Sequence, residues 1–169
     1  MDRLEEWTPV VGYEGLYEVS SLGRVRSVDH EVIQKGGVWK YTGQVLKPDV
    51  SARGYHRVVL SKESRTRTVN VHRLVAEAHI PNPEGYPLVR HLDDDRDNNQ
   101  YWNLAWGTVA DNGADAVRNG VHNQTRKTHC PQNHEYSEGN TYRGASGTVR
   151  ECRKCHALRE RERRRERRD

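Results

Sequence analysis

One spacing constrains this chain more than any other feature: Cys130-x3-His134, then seventeen residues, then Cys152-x2-Cys155. Two paired knuckles of soft and borderline ligands are what a tetrahedral structural Zn²⁺ requires. The intervening stretch GNTYRGASGT can return as a hairpin. Four protein ligands leave no open coordination position, so Cys130, His134, Cys152 and Cys155 are expected to hold a structural zinc. His129 and His156 are neighbours that fit the paired-knuckle spacing less well.

Composition points the same way. The chain has 169 residues, of which 33% are apolar and 31% charged, so it cannot fill one large core. Small modules with metal or partner support are expected instead. Three Cys cannot pair completely, which favours a reduced intracellular setting over a disulfide scaffold. No run of 18 apolar residues exists, and MDRLEEW lacks the apolar stretch of a secretory signal. A cytoplasmic protein with no membrane partner is expected.

Net charge is +4 but uneven. Residues 1–125 hold 15 basic and 17 acidic side chains, whereas residues 126–169 hold 13 and 7. Attraction for a polyanion is therefore expected from the C-terminal end, and specific geometry from the front.

Along the chain, Tyr17-Glu-Val19-Ser and Arg24-Val25-Arg26-Ser27 alternate around the turn Ser21-Leu-Gly23, which reads as a small β unit. The alternation puts Arg24 and Arg26 on one face, as DNA-contacting candidates or as a solvated hairpin face. Residues 29–43 read as a loop or irregular hairpin. Gln44–Lys47, Tyr55–Leu60 and Arg67–Val71 read as further strands. A short helix is expected from about His72 to His79, ended by Pro81 and Pro83, with His72 and His79 in surface or core roles. Then Pro87–His91 is a strand, Asp93–Asn99 a polar loop, Asn103–Trp106 a strand, and Thr108 with Asp111 caps a helix ended by Gly120.

In this strand–loop–strand–helix unit His91 ends the first strand and Asn112 lies in the first turns of the helix. An imidazole suits deprotonation of water, and an amide oxygen suits a hard divalent cation. One base and one metal suffice for phosphodiester hydrolysis. On spacing alone, the same residues also read as a solvated turn.

Residues 71–112, VHRLVAEAHIPNPEGYPLVRHLDDDRDNNQYWNLAWGTVADN, resemble the HNH nuclease family in its phage and intron-borne homing-endonuclease branch. Residues 5–27, EEWTPVVGYEGLYEVSSLGRVRS, look like the short DNA-binding motif that often precedes such domains. The resemblance implies a ββα-metal (HNH) core; with the segments around it the chain reads as an α+β protein, with small β modules before the core and, from spacing and charge, a zinc-bound ribbon and basic helical tail after it. It implies metal-dependent cleavage of double-stranded DNA with Mg²⁺ or Mn²⁺, in a phage-infected host cell. His91 would activate water, Asn103 would hold the loop and the His-bearing strand, and Asn112 would ligate the metal. The residue before the catalytic His is often a metal-binding Asp in this branch; here it is Arg90. A cation cannot ligate a cation. Asp93 would substitute, or the metal would rest on Asn112, water and phosphates, or catalysis would be impaired. Arg90 itself would contact a phosphate or pair with the Asp loop.

The expected segments are a DNA-binding motif (1–28), a β-rich connection (29–70), the nuclease domain (71–122), the zinc module (126–156) and a basic tail (157–169). In the tail Arg163, Arg164 and Arg165 are candidates for the DNA backbone. The competing functions are a catalytically impaired DNA-binding protein on the same scaffold, and a zinc module using its tail on RNA or protein. One nuclease unit per chain leads a monomer to nick and a homodimer to cut both strands.

Overall fold

The computed structural model describes residues 4–144 and 150–167. They fall into two compact units that divide between Asn119 and Gly120.

The first unit opens with an antiparallel sheet of β1 (Trp7–Pro9), β2 (Tyr17–Ser20) and β3 (Val25–Ser27) in that order. Trp7 faces Ser20 and Tyr17 faces Ser27 across it. The strand read at Gln44–Lys47 is reduced to a bridge between Arg26 and Val45, with Leu46 N donating to Val25 O. Residues 29–43 form a regular hairpin of β4 (His30–Gln34) and β5 (Gly37–Tyr41). A second sheet joins β6 (Asp49–Val50), β7 (His56–Lys62) and β8 (Arg65–Asn70). Glu63 and Ser64 turn the β7–β8 corner with φ of 52° and 61°, the twist a two-residue hairpin needs.

Helix α1 (Val71–His79) follows β8 without a gap and stops at Ile80, which is extended because Pro81 follows it. Its apolar side, Val71, Leu74 and Val75, meets Val10, Val19, Val25, Val58, Leu60 and Leu104 in one core. The front motif, the connecting strands and helix α1 therefore share a single interior. None of them is large enough to bury a core alone.

On this core lies a second layer: β9 (Leu88–His91), a 3₁₀ turn (Tyr101–Asn103), β10 (Leu104–Gly107) and α2 (Val109–Arg118). β9 and β10 pair with His91 opposite Leu104. Thr108 and Asp111 form the reciprocal cap expected from their spacing, and Gly120 follows α2 with φ of +69°.

The second unit holds α3 (Asn123–Arg126), the hairpin β11 (Thr141–Arg143) and β12 (Arg150–Cys152), and α4 (Arg153–Glu166). Residues 145–149, part of the stretch expected to return as a hairpin, lie outside the described residues. The tail helix starts at Arg153 rather than 157, so it grows directly out of the second cysteine knuckle. Among the described residues no helix is long and apolar enough to cross a membrane.

Candidate active site and metal centre

His91 ends β9 and is only 6% exposed. Its Nε2 lies 3.2 Å from Asn99 Oδ1, while Asn99 Nδ2 donates to the carbonyls of Arg96 and Asp97, each at 3.2 Å. Because the amide nitrogen is committed to two carbonyls, Oδ1 is the acceptor that faces His91. His91 therefore carries its proton on Nε2 and leaves the Nδ1 lone pair free. Burial pulls its pKa below the ordinary histidine value, opposed by the Asn99 bond and by Asp93 and Asp95. The ring stays neutral at pH 7.

Asn99 was not singled out by sequence reasoning, although the Asn98-Asn99 pair four residues before Asn103 is its only trace. His72, read as surface or core, is buried beside His91 with ring centroids 5.1 Å apart, and Tyr55 completes the cluster 5.0 Å from His72. Burial, then the neighbouring His91, pushes His72 down to about 4.

Asn103 is buried and donates to Asp93 Oδ1 at 2.8 Å and Asn98 O at 2.9 Å, while Leu92 N donates to Asn103 O. Asp93 also accepts from Asp95 N at 2.8 Å and Asn98 Nδ2 at 2.7 Å. That occupies three of the roughly four acceptor positions of its carboxylate. Asp94 accepts from Asn119, the residue that caps the C-terminus of α2, at 2.8 Å, and Asp97 reaches His56 at 2.9 Å. The acidic loop is thus cross-braced to its surroundings rather than loosely solvated.

Arg90 corrects one expectation. It pairs with Asp115 of α2, not with the Asp loop, and Asp115 also binds Arg118 at 2.6 Å. The Asp115 side chain is 2% exposed. Burial alone would raise its pKa, but the bonds from Arg90 and Arg118 hold it below the usual carboxylate range. Gly107 of β10 makes the space, since a Cβ there would sit 2.7 Å from Arg90 Nε. The ion pair ties β9 to α2.

Asn112 lies exposed on the first turns of α2. The carboxylates of this unit that could assist it are engaged: Asp111 in the Thr108 cap, Asp115 by two arginines, and Asp93 largely by the loop. A divalent ion held by Asn112 would have one free amide ligand and would complete its shell from water and substrate. Mg²⁺ tolerates this, since it keeps several waters and binds substrate phosphates.

The front motif buttresses the loop. Tyr101 N donates to Ser21 O at 2.9 Å, and the Gly23 turn abuts Asn99. Gly23 has φ of +88°, and a Cβ there would lie 2.8 Å from Asn99 Cβ and 3.0 Å from its carbonyl oxygen. Gly12 has φ of +80° but open space around it. Gly12→Ala should therefore cost about 1 kcal/mol of backbone strain alone. Gly23→Ala should cost about 2 kcal/mol or more, because it also displaces the partner of His91. Thermal melts of the two variants compare them; equal effects would show that the turn does not support the loop.

Arg24 and Arg26 share a face as their alternation implied, with guanidinium carbons 5.6 and 4.2 Å from the centre of the Trp7 ring. Arg24 pairs with Glu5, and Arg26 with Glu18 at 2.6 Å. Both remain partly exposed.

In the second unit the four spacing-derived ligands converge. Their ligand atoms all lie within 4.8 Å of one another. Cys130 Sγ is 3.5 Å from His134 Nδ1 and 3.6 Å from Cys155 Sγ, and His134 Nδ1 is 3.2 Å from Cys155 Sγ and 3.7 Å from Cys152 Sγ. Zn–S and Zn–N bonds of about 2.3 and 2.0–2.1 Å place tetrahedral ligands about 3.5–3.8 Å apart, so the donor set fits Zn²⁺. His129 instead bonds Thr128 and is outside the cluster. His134 N donates to Cys130 Sγ at 3.3 Å. Asn140, which sequence reasoning also missed, binds Glu135 O, Cys152 Sγ and Lys154 N, clamping the two knuckles together. Burial opposes ionisation of Cys152, yet the Cys155 N–H and Asn140 amide bring it down to about 6, while burial and the neighbouring Cys130 and Cys152 thiols push Cys155 up to about 11.

Comparison with known proteins matches residues 5–61 to the NUMOD4 motif and residues 69–114 to the HNH endonuclease family. DNA endonuclease I-HmuI of Bacillus phage SP01 is 35% identical over 121 residues, covering 72% of this chain and 63% of the phage protein. An uncharacterised HNH endonuclease of Acanthamoeba polyphaga mimivirus is 31% identical over 137 residues, covering 81% of this chain and 36% of the viral one. A solved structure showing DNA binding and cleavage by I-HmuI aligns with a TM-score of 0.56 at 38% identity, over 70% of this chain and 61% of that one. This chain thus spans less than two thirds of the length of these relatives.

Proposed function

We propose, because this chain carries a NUMOD4 motif followed by an HNH endonuclease domain, that it is a metal-dependent endonuclease of the homing type acting on double-stranded DNA. The observation that carries the reading is His91, buried at the end of β9 with its Nε2 proton held by Asn99. In this mechanism Nδ1 of His91 takes a proton from water as the water oxygen forms its bond to phosphorus and the bond to the leaving oxygen breaks. Asn103 holds the loop that holds Asn99, and so acts on His91 at one remove. Asn112 would hold Mg²⁺ or Mn²⁺, with Asp93 offering at most its remaining acceptor position. When bound, the ion supplies charge stabilisation at the phosphorane and the leaving oxygen.

Cys130, His134, Cys152 and Cys155 would hold a separate, structural Zn²⁺. The relation to I-HmuI, whose structure shows DNA binding and cleavage, supports DNA as the substrate. With one nuclease domain per chain, a monomer would nick and a homodimer would cut both strands. The intracellular, phage-infected cell is the setting that fits the three free cysteines and the phage relative.

A second reading, a DNA-binding protein with impaired catalysis, is favoured by one observation: the residue before His91 is a cation held by Asp115. Incubating supercoiled plasmid with the full-length protein and Mg²⁺ or Mn²⁺ separates the two. Conversion to open circle that chelator abolishes supports the enzyme; tight binding without conversion supports the second reading.

A further inference from the structure

Helix α4 sorts its charges by face, since residues three, four and seven apart share one side of a helix. One side carries Cys155, Arg159, Glu162 and Glu166. Cys155, Arg159 and Glu162 line the same cavity as Cys130 and Tyr136, so this side faces the zinc knuckles. A second side carries His156, Glu160, Arg163 and Arg167, where Arg163 Nη1 donates to Glu160 Oε1 at 3.3 Å. The third side carries Lys154, Ala157, Leu158, Arg161, Arg164 and Arg165, with Glu160 and Glu162 only at its borders.

The pairing pattern sharpens this. Glu160 is four residues before Arg164, the favourable order for an i,i+4 pair, yet it binds Arg163 instead. Among the described residues Arg161, Arg164 and Arg165 form no ion pair and all three are exposed; Arg159 and Arg167 are also unpaired, but they stand singly beside the glutamates of the other two sides. A helix stabilised only by its own charges would use these arginines. This one leaves them free on one stripe and keeps its three acids elsewhere.

The stripe is also anchored. Cys155 stands in the first turn of α4, and Lys154 N donates to Asn140 Oδ1 at 3.1 Å. At a rise of 1.5 Å per residue, Arg161 to Arg165 stand about 9–15 Å beyond the zinc ligand on a rod whose rotation the ligand sets.

We infer that the face of α4 formed by Lys154, Arg161, Arg164 and Arg165 docks on the phosphate backbone of duplex DNA, with Arg159 and Arg163 taking no part. Arginine forks match phosphate oxygens, and a stripe whose apolar residues are only Ala157 and the exposed Leu158 offers little to a bilayer. The choice of DNA over other polyanions rests on the nuclease reading.

Two triple variants of the zinc-loaded full-length chain remove the same charge from different faces. One is Arg161→Gln, Arg164→Gln and Arg165→Gln; the other is Arg159→Gln, Arg163→Gln and Arg167→Gln. Binding to a duplex of arbitrary sequence is titrated at several salt concentrations. Each lost phosphate contact lowers the log–log salt slope by about 0.9, so the first variant should flatten it by about 2–3 and the second by less than about 0.5. Equal flattening would mean that net charge alone matters, and no flattening would mean no contact; either overturns the inference. Tighter binding of an RNA duplex than of DNA, with the same face dependence, would overturn the choice of partner. Face-dependent DNA binding without cleavage would sustain the inference and fail the nuclease reading alone.

Discussion

His91→Ala is expected to slow metal-dependent DNA cleavage by about 10²–10⁴-fold while DNA affinity stays unchanged. The expectation rests on geometry around one ring. Asn99 accepts the Nε2 proton, so the basic lone pair sits on Nδ1, and burial keeps the ring neutral at pH 7. The nearest other histidine, His72, is pushed down to about 4 in the same cluster and has no hydrogen-bond partner at Nδ1 among the described residues. It cannot substitute without a rearrangement of Tyr55 and α1. Asn99→Ala should reproduce part of the loss, because the tautomer is then no longer imposed. Single-turnover cleavage beside binding titrations makes the comparison. Undiminished cleavage by His91→Ala would remove this residue from the mechanism.

The second large effect concerns zinc. Cys152→Ala with Cys155→Ala should abolish binding of about one Zn²⁺ per chain and unfold the unit that begins at Gly120. The main apolar cluster ends at Leu104, and the buried residues beyond Asn119 are Cys130, Cys152 and Asn140 among those described. Two are proposed ligands and the third clamps them. With so little else buried, metal binding energy is folding energy here, as in zinc-finger peptides, where it reaches about 10–16 kcal/mol. Elemental analysis and limited proteolysis report the result. Zinc should vanish and the chain beyond residue 120 should become sensitive, while the first unit resists. Wild-type protein without zinc, or a variant that retains it, would rule the site out.

Arg90 shows how far a linear reading reaches. Its charge is plain in the sequence, and so is the conflict with metal ligation. Its partner is not, because Asp115 lies 25 residues away and becomes a neighbour only when α2 packs on β9. Gln44–Lys47 shows the reverse error. Its residues alternate like a strand, but Arg26 and Val45 form just one bridge, so the segment never becomes a ladder.

What the sequence determined by itself was whatever depends on short spacings. The two knuckles of the zinc set, the Thr108–Asp111 cap and the stop of α1 before Pro81 follow from coordination geometry, hydrogen-bond reach and ring sterics within a few residues. Only the tertiary structure decided which nitrogen of His91 is free, which carboxylate holds Arg90 and which arginines of α4 stay unpaired. Those outcomes turn on which of several chemically equivalent partners packing brings within about 3 Å, and hydrogen bonds and ion pairs fall off too steeply with distance and angle for composition to choose among them.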